Sequence, residues 1–298
     1  LRQTGQGLTS HIAVTTMARY FSINRGKSIA LAALGYAFGE SFLPLLVVLG
    51  ISILSWRHTY GLATGVLFFV FFPAVMWLLS KSSGHGLKNE QNDTDNTLGN
   101  TGTRTSWTRR EMLGHWRFYL IMPAVIAPSF IGTALFFHHL TLADAKGWTA
   151  VWITGSYWVY AVVSVAASLF FGPLIDRISA IKAVPLFLVP KIAALLIIWA
   201  FSSPYWAWPY LLLLGLNVGM LYTGITALWA ELYGPLYLGS IRSFVVAVTV
   251  LASALGPPSM GILIDIGISI ETICAIFAAY CTGAAILLIG GLAKLKPS

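Results

Sequence analysis

The chain has 298 residues, of which 57% are hydrophobic and only 9% are charged, and its formal net charge at pH 7 is +8. An ordinary soluble domain has roughly 25% charged residues, so this composition excludes a water-soluble globular fold. Apolar runs of about 20 residues recur along the chain and predict an all-α, multi-pass integral membrane protein whose helices cross a bilayer.

The first part of the chain contains three apolar segments. A weaker one runs from Leu1 to about Tyr20, and stronger ones follow at Ser28–Leu54 and Gly61–Ser80. None begins with the short basic region of a signal peptide. Because the chain starts without methionine and in the middle of this pattern, we expect it to be a fragment.

The tripeptide Gly26-Lys27-Ser28 resembles the end of a phosphate-binding loop. Such a loop requires an earlier glycine, in the spacing G-x-x-x-x-G-K-[ST], because the backbone N–H groups between the two glycines wrap the phosphates. Phe21 occupies that position. We therefore interpret the tripeptide as a chance match and predict no nucleotide site.

Residues 81–115 are rich in Asn, Thr and Gly and almost free of large aliphatic side chains. They cannot bury enough apolar surface to order themselves, so they predict a flexible cytoplasmic linker. Near its end, Thr108 and Glu111 have the spacing of a capping box, which predicts a short helix at the membrane surface.

Further apolar spans follow the linker. They are predicted at Phe118–Leu140, Thr149–Ile175, Ala183–Phe201, Trp206–Trp229, Phe244–Ile266 and Thr272–Leu292. Cys274 and Cys281 both lie in the last span, where we interpret them as packing residues and expect neither a disulfide nor a metal site.

Lysine and arginine residues fall almost entirely in alternate loops. The intervening loops contain only Arg57 and Lys146. By the positive-inside rule, the basic loops, the linker and the C-terminus are predicted to be cytoplasmic in a cell membrane. The positive net charge therefore follows from topology and requires no nucleic-acid partner.

The two sides of the linker contain a weak internal repeat. Residues 7–21 align with residues 219–233 at a constant offset that pairs Gly7 with Gly219. Three spans precede the second copy, so we expect three more before Leu1 and an intact protein of twelve spans in two related halves.

Two local motifs resemble those of the major facilitator superfamily. Residues 172–177 (GPLIDR) resemble the G-x-x-x-D-R loop after the second helix of each half, and residues 2–7 (RQTGQG) resemble its fourth-helix motif. The R-x-x-G-Q-G form is most similar to members that carry small monocarboxylates. The loop departs from the fuller pattern after Arg177, since ISAIK has one basic residue where the family has two or three.

The resemblance implies two pseudo-symmetric six-helix halves. Residues 1–80 are then the remainder of the N-terminal half, with three spans, residues 81–115 the cytoplasmic linker, and residues 116–298 the C-terminal half. The implied function is secondary active transport of a small solute, by alternating access around a cavity at the bilayer midplane.

Three ionisable residues of the first half are candidates for coupling a proton to a substrate. Glu40 lies about 20 Å along its helix from Lys27, past the bilayer middle, where an acid is a functional candidate by default. The alternative is a neutral or salt-bridged glutamate that pins two helices. His11 either shares a proton with Glu40 or is a helix–helix hydrogen-bond partner. Arg2 either holds an anionic substrate or pairs with an acid on a missing helix.

By resemblance, a charge latch at the cytoplasmic ends of the second-half helices holds the outward-open state. Its members are Asp176, Arg177, Glu231 and Arg242. Asp176 is also placed to face the N-terminus of a neighbouring helix, where an anion is favoured. The alternative is ordinary interfacial charge.

Small residues and prolines mark positions where helices pack closely or bend, although packing alone would require much the same residues. The candidates are Gly35, Gly39, Pro44, Gly256, Pro257 and Gly261. Pro185 and Pro190 predict a bent helix in which Lys191 snorkels towards the cytoplasm. Asn217, Tyr222 and Trp229 are candidates for the cavity wall, with packing as the alternative.

The pair His138-His139 does not predict a metal site, because adjacent helix positions point about 100° apart and cannot easily chelate one ion. We expect no metal and no cofactor. The expected partners are a small-molecule substrate, a proton and the lipid bilayer, and we expect a monomer.

The sequence thus favours a proton-coupled transporter, with a small organic anion such as a monocarboxylate as the candidate solute, since the proton offsets its charge. Within the class, the alternative is proton-antiport efflux of amphipathic compounds. Outside it, the alternatives are a transport-dead sensor and a membrane-embedded enzyme that acts on lipid. The outer loops offer that enzyme only Asp144, Asp265 and Glu271 as sparse catalytic candidates.

Overall fold

The structure is a computed structural model, and every regular element in the part of the chain it describes is a helix, as predicted. The described residues are 39, 42–82, 106–234 and 236–293, without the side chains of 78–82, 176, 222 and 223. These residues fall in two compact units, with 43–82 in one and 106–293 in the other.

The described part of the first unit is helical almost throughout. Its helices are α1 (Phe42–Leu54), α2 (Trp56–Val66) and α3 (Phe72–Ser82), with a π-helical turn at Leu67–Phe71 between the last two. Ser55 separates α1 from α2 with a φ of 75°. The stretch Trp56–Trp77 is long and apolar enough to cross a membrane, which confirms the span predicted at Gly61–Ser80.

The second unit is a bundle of longer helices joined by short ones. In chain order they are α4 (Arg109–Gly114), α5 (Trp116–Phe137), α6 (His139–Ala145), α7 (Ala150–Gly155), α8 (Tyr157–Ile178), α9 (Ala180–Ala183), α10 (Leu188–Ala200), α11 (Ala207–Tyr233), α12 (Leu238–Asp265) and α13 (Ile270–Leu292).

All the spans predicted after the linker are confirmed. Their observed bounds are Trp116–Phe137, Ala150–Ile175, Ala180–Ala200, Pro204–Tyr233, Leu238–Asp265 and Ile270–Leu292. The first of them ends three residues earlier than predicted, because α5 stops at Phe137 and α6 begins at His139. His139, the second residue of the pair His138-His139, therefore lies in the connection between two spans.

Helix packing within the second unit follows a simple pattern: α8 lies on α11, α5 on α12 and α13, and α10 on α11 and α13. Cys274 and Cys281 on α13 are free thiols that are fully buried in this core, which confirms the packing interpretation. Gly256 on α12 meets α5 so closely that an added Cβ would lie 2.2 Å from the carbonyl oxygen of Phe130.

Two local predictions are also confirmed. Thr108 and Glu111 form a reciprocal capping box that starts α4. Pro185 lies in a 3-10 turn, Val184–Phe187, which interrupts its span between α9 and α10. Both features follow from local chemistry, since a capping box satisfies orphan N–H groups and proline removes a backbone donor.

Candidate transport and gating residues

The proton and substrate candidates Arg2, His11 and Glu40 lie outside the described residues, as does Gly35. Gly39 is helical and half-buried, and Pro44 lies half-buried in α1. The roles assigned to these residues therefore stay predictions.

Glu231 is the latch candidate whose contacts are best defined. At the end of α11, its Oε1 accepts the Ser179 hydroxyl at 2.5 Å and its Oε2 accepts the backbone N–H of Ala180 at 2.8 Å. Ser179 has a φ of 76°, a conformation that L side chains rarely adopt. The carboxylate thus caps the N-terminus of α9, where backbone donors lack intrahelical partners, and it ties α11 to the loop that follows α8.

The other latch candidates make no ion pair with Glu231 in the described part of the chain. Arg177 and Arg242 are exposed, and the side chain of Asp176 is outside the described set. The structure therefore joins Glu231 to the loop through hydrogen bonds, and the latch itself stays a prediction.

Lys146 and Glu271 form an ion pair at 3.0 Å, which fastens the connection between α6 and α7 to the first turn of α13. The Lys146 side chain is almost fully buried. Glu271, one of the sparse acids that a lipid-acting enzyme would need, is therefore committed to a structural contact.

His139 lies at the centre of a buried polar network that the sequence did not predict. Its Nδ1 and Nε2 each lie 2.7 Å from a tyrosine hydroxyl, that of Tyr157 and that of Tyr210. The ring is 1% exposed. With both nitrogens occupied, it cannot ligate a metal, and in the described part of the chain no three His, Cys, Asp or Glu side chains gather as a metal site.

Burial lowers the pKa of His139 from its ordinary value of 6.5 to about 3. The unfolded chain therefore binds more protons than the folded one between these two values. Stability from the neutral imidazole is fully present above about pH 6.5 and is lost as the pH falls towards 3, with a slope approaching about 1.4 kcal/mol per pH unit.

We expect His139→Gln to flatten this acid dependence, because glutamine can donate and accept hydrogen bonds without titrating. When the pH falls from 7.5 to 5.0, the free energy of unfolding of the parent protein should decrease by about 2 kcal/mol more than that of the variant. Thermal unfolding in detergent at the two pH values measures the difference. His138→Gln, at the half-buried neighbour, serves as the control; equal pH dependence in the parent and His139→Gln would contradict the prediction.

The predicted position of Lys191 is wrong. The side chain does not snorkel out of the bundle; it is 1% exposed. Its Nζ lies beside Gly132 of α5, 3.4 Å from the point where a Cβ would stand. The missing side chain at position 132 leaves room for the ammonium, so the lysine side chain lies inward, between α10 and α5.

Asn217 and Trp229 on α11 are buried, which favours packing over a place on a cavity wall. The Asn217 amide donates to the carbonyl oxygen of Phe187 at 2.7 Å and so holds the end of the 3-10 turn. Trp229 stacks on Tyr233, with ring centroids 5.7 Å apart.

An open groove of about 600 Å³ lies between α8 and α11 at the end opposite Glu231. Its lining is apolar and aromatic and includes Trp158, Tyr205, Trp208 and Leu212. Among the described residues, no charged side chain that would recognise an anionic solute lines it.

Comparison with known proteins agrees with the fold. The family model for the Major Facilitator Superfamily matches residues 4–257, which is most of the chain. No curated protein sequence matches it. The apolar spans, the helical bundle and this match lead to one conclusion: the chain belongs to the Major Facilitator Superfamily and is a multi-pass membrane protein of the secondary-transporter class.

Proposed function

We propose that this protein is a proton-coupled transporter of a small organic anion, of the monocarboxylate class, in a cell membrane. The family match over residues 4–257 carries the proposal, since it makes the chain a secondary transporter. Glu40 and His11 handle the proton and Arg2 attracts the anion. The basic loops, the linker and the C-terminus face the cytoplasm, and the protein works as a monomer.

The contact of Glu231 supports a gating role for the cytoplasmic end of the second half. Its carboxylate reaches the loop directly after Asp176-Arg177, the acid and base of the G-x-x-x-D-R motif. A movement of α11 relative to α8 would have to break both hydrogen bonds together. We assign Glu231 to holding this end closed, with Asp176, Arg177 and Arg242 completing the latch.

Glu40→Gln should abolish accumulation of the solute driven by a pH gradient and leave solute exchange intact, because glutamine cannot carry the proton. The test uses the purified protein in proteoliposomes, with a labelled short-chain monocarboxylate and an imposed pH gradient. Glu111→Gln is the matched control, since Glu111 belongs to the cap of α4.

Each result has a distinct meaning. Gradient-driven uptake that survives Glu40→Gln would remove Glu40 from coupling. If no carboxylate is transported while an amphipathic cation is expelled in exchange for protons, the antiport alternative replaces the proposed direction and substrate.

A further inference from the structure

The end of the linker is docked onto the helical bundle. The N–H of Trp107 donates to the carbonyl oxygen of Tyr233 at 2.9 Å, and the two rings lie 5.7 Å apart. Just before it, Ser106 lies against Gly234, the residue that ends α11. Met112 of α4 is fully buried in the bundle. Residues 106–119, here called the docked segment, therefore have a fixed position on the end of α11 that carries Glu231.

The docked segment carries three arginines without an acidic partner. Arg109 and Arg110 are exposed on α4, and Arg117 lies in the first turn of α5; none forms an ion pair within the described residues. The acid of the segment, Glu111, is committed to the cap, where it accepts the backbone N–H of Thr108 at 2.7 Å. The segment thus presents a net positive surface whose geometry is set by the fold.

Arg117 lies beside aromatic side chains. Its guanidinium lies 5.6 Å from the centre of the Trp116 ring, and that ring in turn stacks on His115 at 6.1 Å. The Arg117 Nε is buried and has no hydrogen-bond partner within the described residues. A guanidinium presents its N–H groups in a planar fork that suits phosphate, so Arg117 adds donors for an anion at this surface.

The docked segment lies where a membrane span begins, at the depth of lipid headgroups. Trp116 and Tyr119, each 59% exposed, lie at the start of the span Trp116–Phe137, and their residue types are enriched where helices leave the bilayer. The same end of the bundle carries the exposed residues Arg177 and Arg242, as the antiparallel order of the spans requires. A basic surface directly beside a span is the pattern that attracts anionic lipid.

We propose that the docked segment binds the headgroup of an anionic phospholipid. Arg109, Arg110 and Arg117 supply positive charge around its phosphate, while Trp116 and Tyr119 lie at the depth of its glycerol backbone. The bound lipid fastens the linker end to α11, next to the contacts of Glu231. This site does not depend on which solute is transported.

The test measures lipid affinity of the purified full chain. Phosphatidylglycerol is titrated into protein held in neutral detergent, with phosphatidylcholine as the reference lipid, and retained lipid is counted by native mass spectrometry. Each arginine should contribute roughly fivefold to the affinity, so Arg109→Gln/Arg110→Gln should weaken phosphatidylglycerol binding roughly 30-fold and addition of Arg117→Gln roughly 150-fold. Binding of phosphatidylcholine should not change.

Arg177→Gln/Arg242→Gln is the matched control, because it removes two exposed charges from the same end without touching the docked segment. An equal loss in this control would overturn the proposal, since it would show a diffuse charge effect. Unchanged binding in the Arg109/Arg110 double variant, in which both replaced side chains are exposed, would overturn it too. Inorganic phosphate at millimolar concentration should not displace the lipid; displacement would identify a site for free anions instead.

Discussion

Replacing Gly256 with alanine should lower the free energy of unfolding by about 1–3 kcal/mol, the usual cost of overpacking a well-packed interior. The added Cβ would lie 2.2 Å from the carbonyl oxygen of Phe130 and 3.1 Å from its carbonyl carbon. Both contacts are with backbone, so no side chain can rotate away. The two helices α5 and α12 must separate instead, and that separation loses contacts along their whole length.

Gly219→Ala should have a similar effect at a second interface, because its Cβ would lie 2.4 Å from the carbonyl oxygen of Ser164 on α8. Gly256 precedes a proline, which by itself restricts the backbone of the residue before it, whereas Gly219 does not precede one. A loss of stability in Gly219→Ala therefore reports steric crowding alone. Thermal or denaturant unfolding of the purified protein in detergent measures both variants.

Gly283→Ala and Gly290→Ala are the matched controls. An added Cβ at either position would meet nothing within 4 Å, and alanine is the better helix former by roughly 0.5–1 kcal/mol. These variants should be neutral or slightly stabilising. If Gly256→Ala unfolds like Gly290→Ala, the close approach of α5 and α12 is not a feature of the folded protein.

The features that could be predicted from the sequence are those determined by short stretches of chain. A span needs about 20 consecutive apolar residues, and this requirement alone located the ends of every described span to within six residues. The cap formed by Thr108 and Glu111 could also be predicted from the sequence, because both partners lie within one helical turn.

Contacts between helices could not be predicted in the same way. The spans are apolar on all sides, so no polar face shows which side of a helix meets its neighbour. The partners of His139 are distant in sequence: Tyr157 is 18 positions away and Tyr210 is 71 positions away. Nothing in the local sequence marks either tyrosine as a partner. The family resemblance identified Glu231 but suggested charged partners, whereas the structure gives it a hydroxyl and a backbone N–H.

The misplacement of Lys191 has the same cause. Snorkelling is the ordinary behaviour of a lysine on a lipid-facing helix, and the sequence of α10 does not show that this residue faces inward. The space that admits the ammonium is provided by Gly132, on a different helix.

Lys191→Met should raise the free energy of unfolding by about 2–4 kcal/mol. Within the described residues the Lys191 ammonium has no carboxylate partner, and a lysine at the centre of a membrane helix costs about 3 kcal/mol to bury. Methionine has a similar length and no charge, so it can occupy the same space beside Gly132. Unfolding in detergent measures the gain, with Lys182→Met at an exposed site as a control expected to stay within about 0.5 kcal/mol of the parent.

A loss of stability in Lys191→Met would contradict this prediction and show that the ammonium has a stabilising partner in the folded protein. The expected gain has a functional consequence, since folding alone does not explain a buried cation that costs this much. Residues that reduce stability in this way are typical of sites where activity requires them. Transport by the stabilised variant, measured in the same proteoliposomes as Glu40→Gln, should therefore fall even though the protein unfolds at a higher temperature.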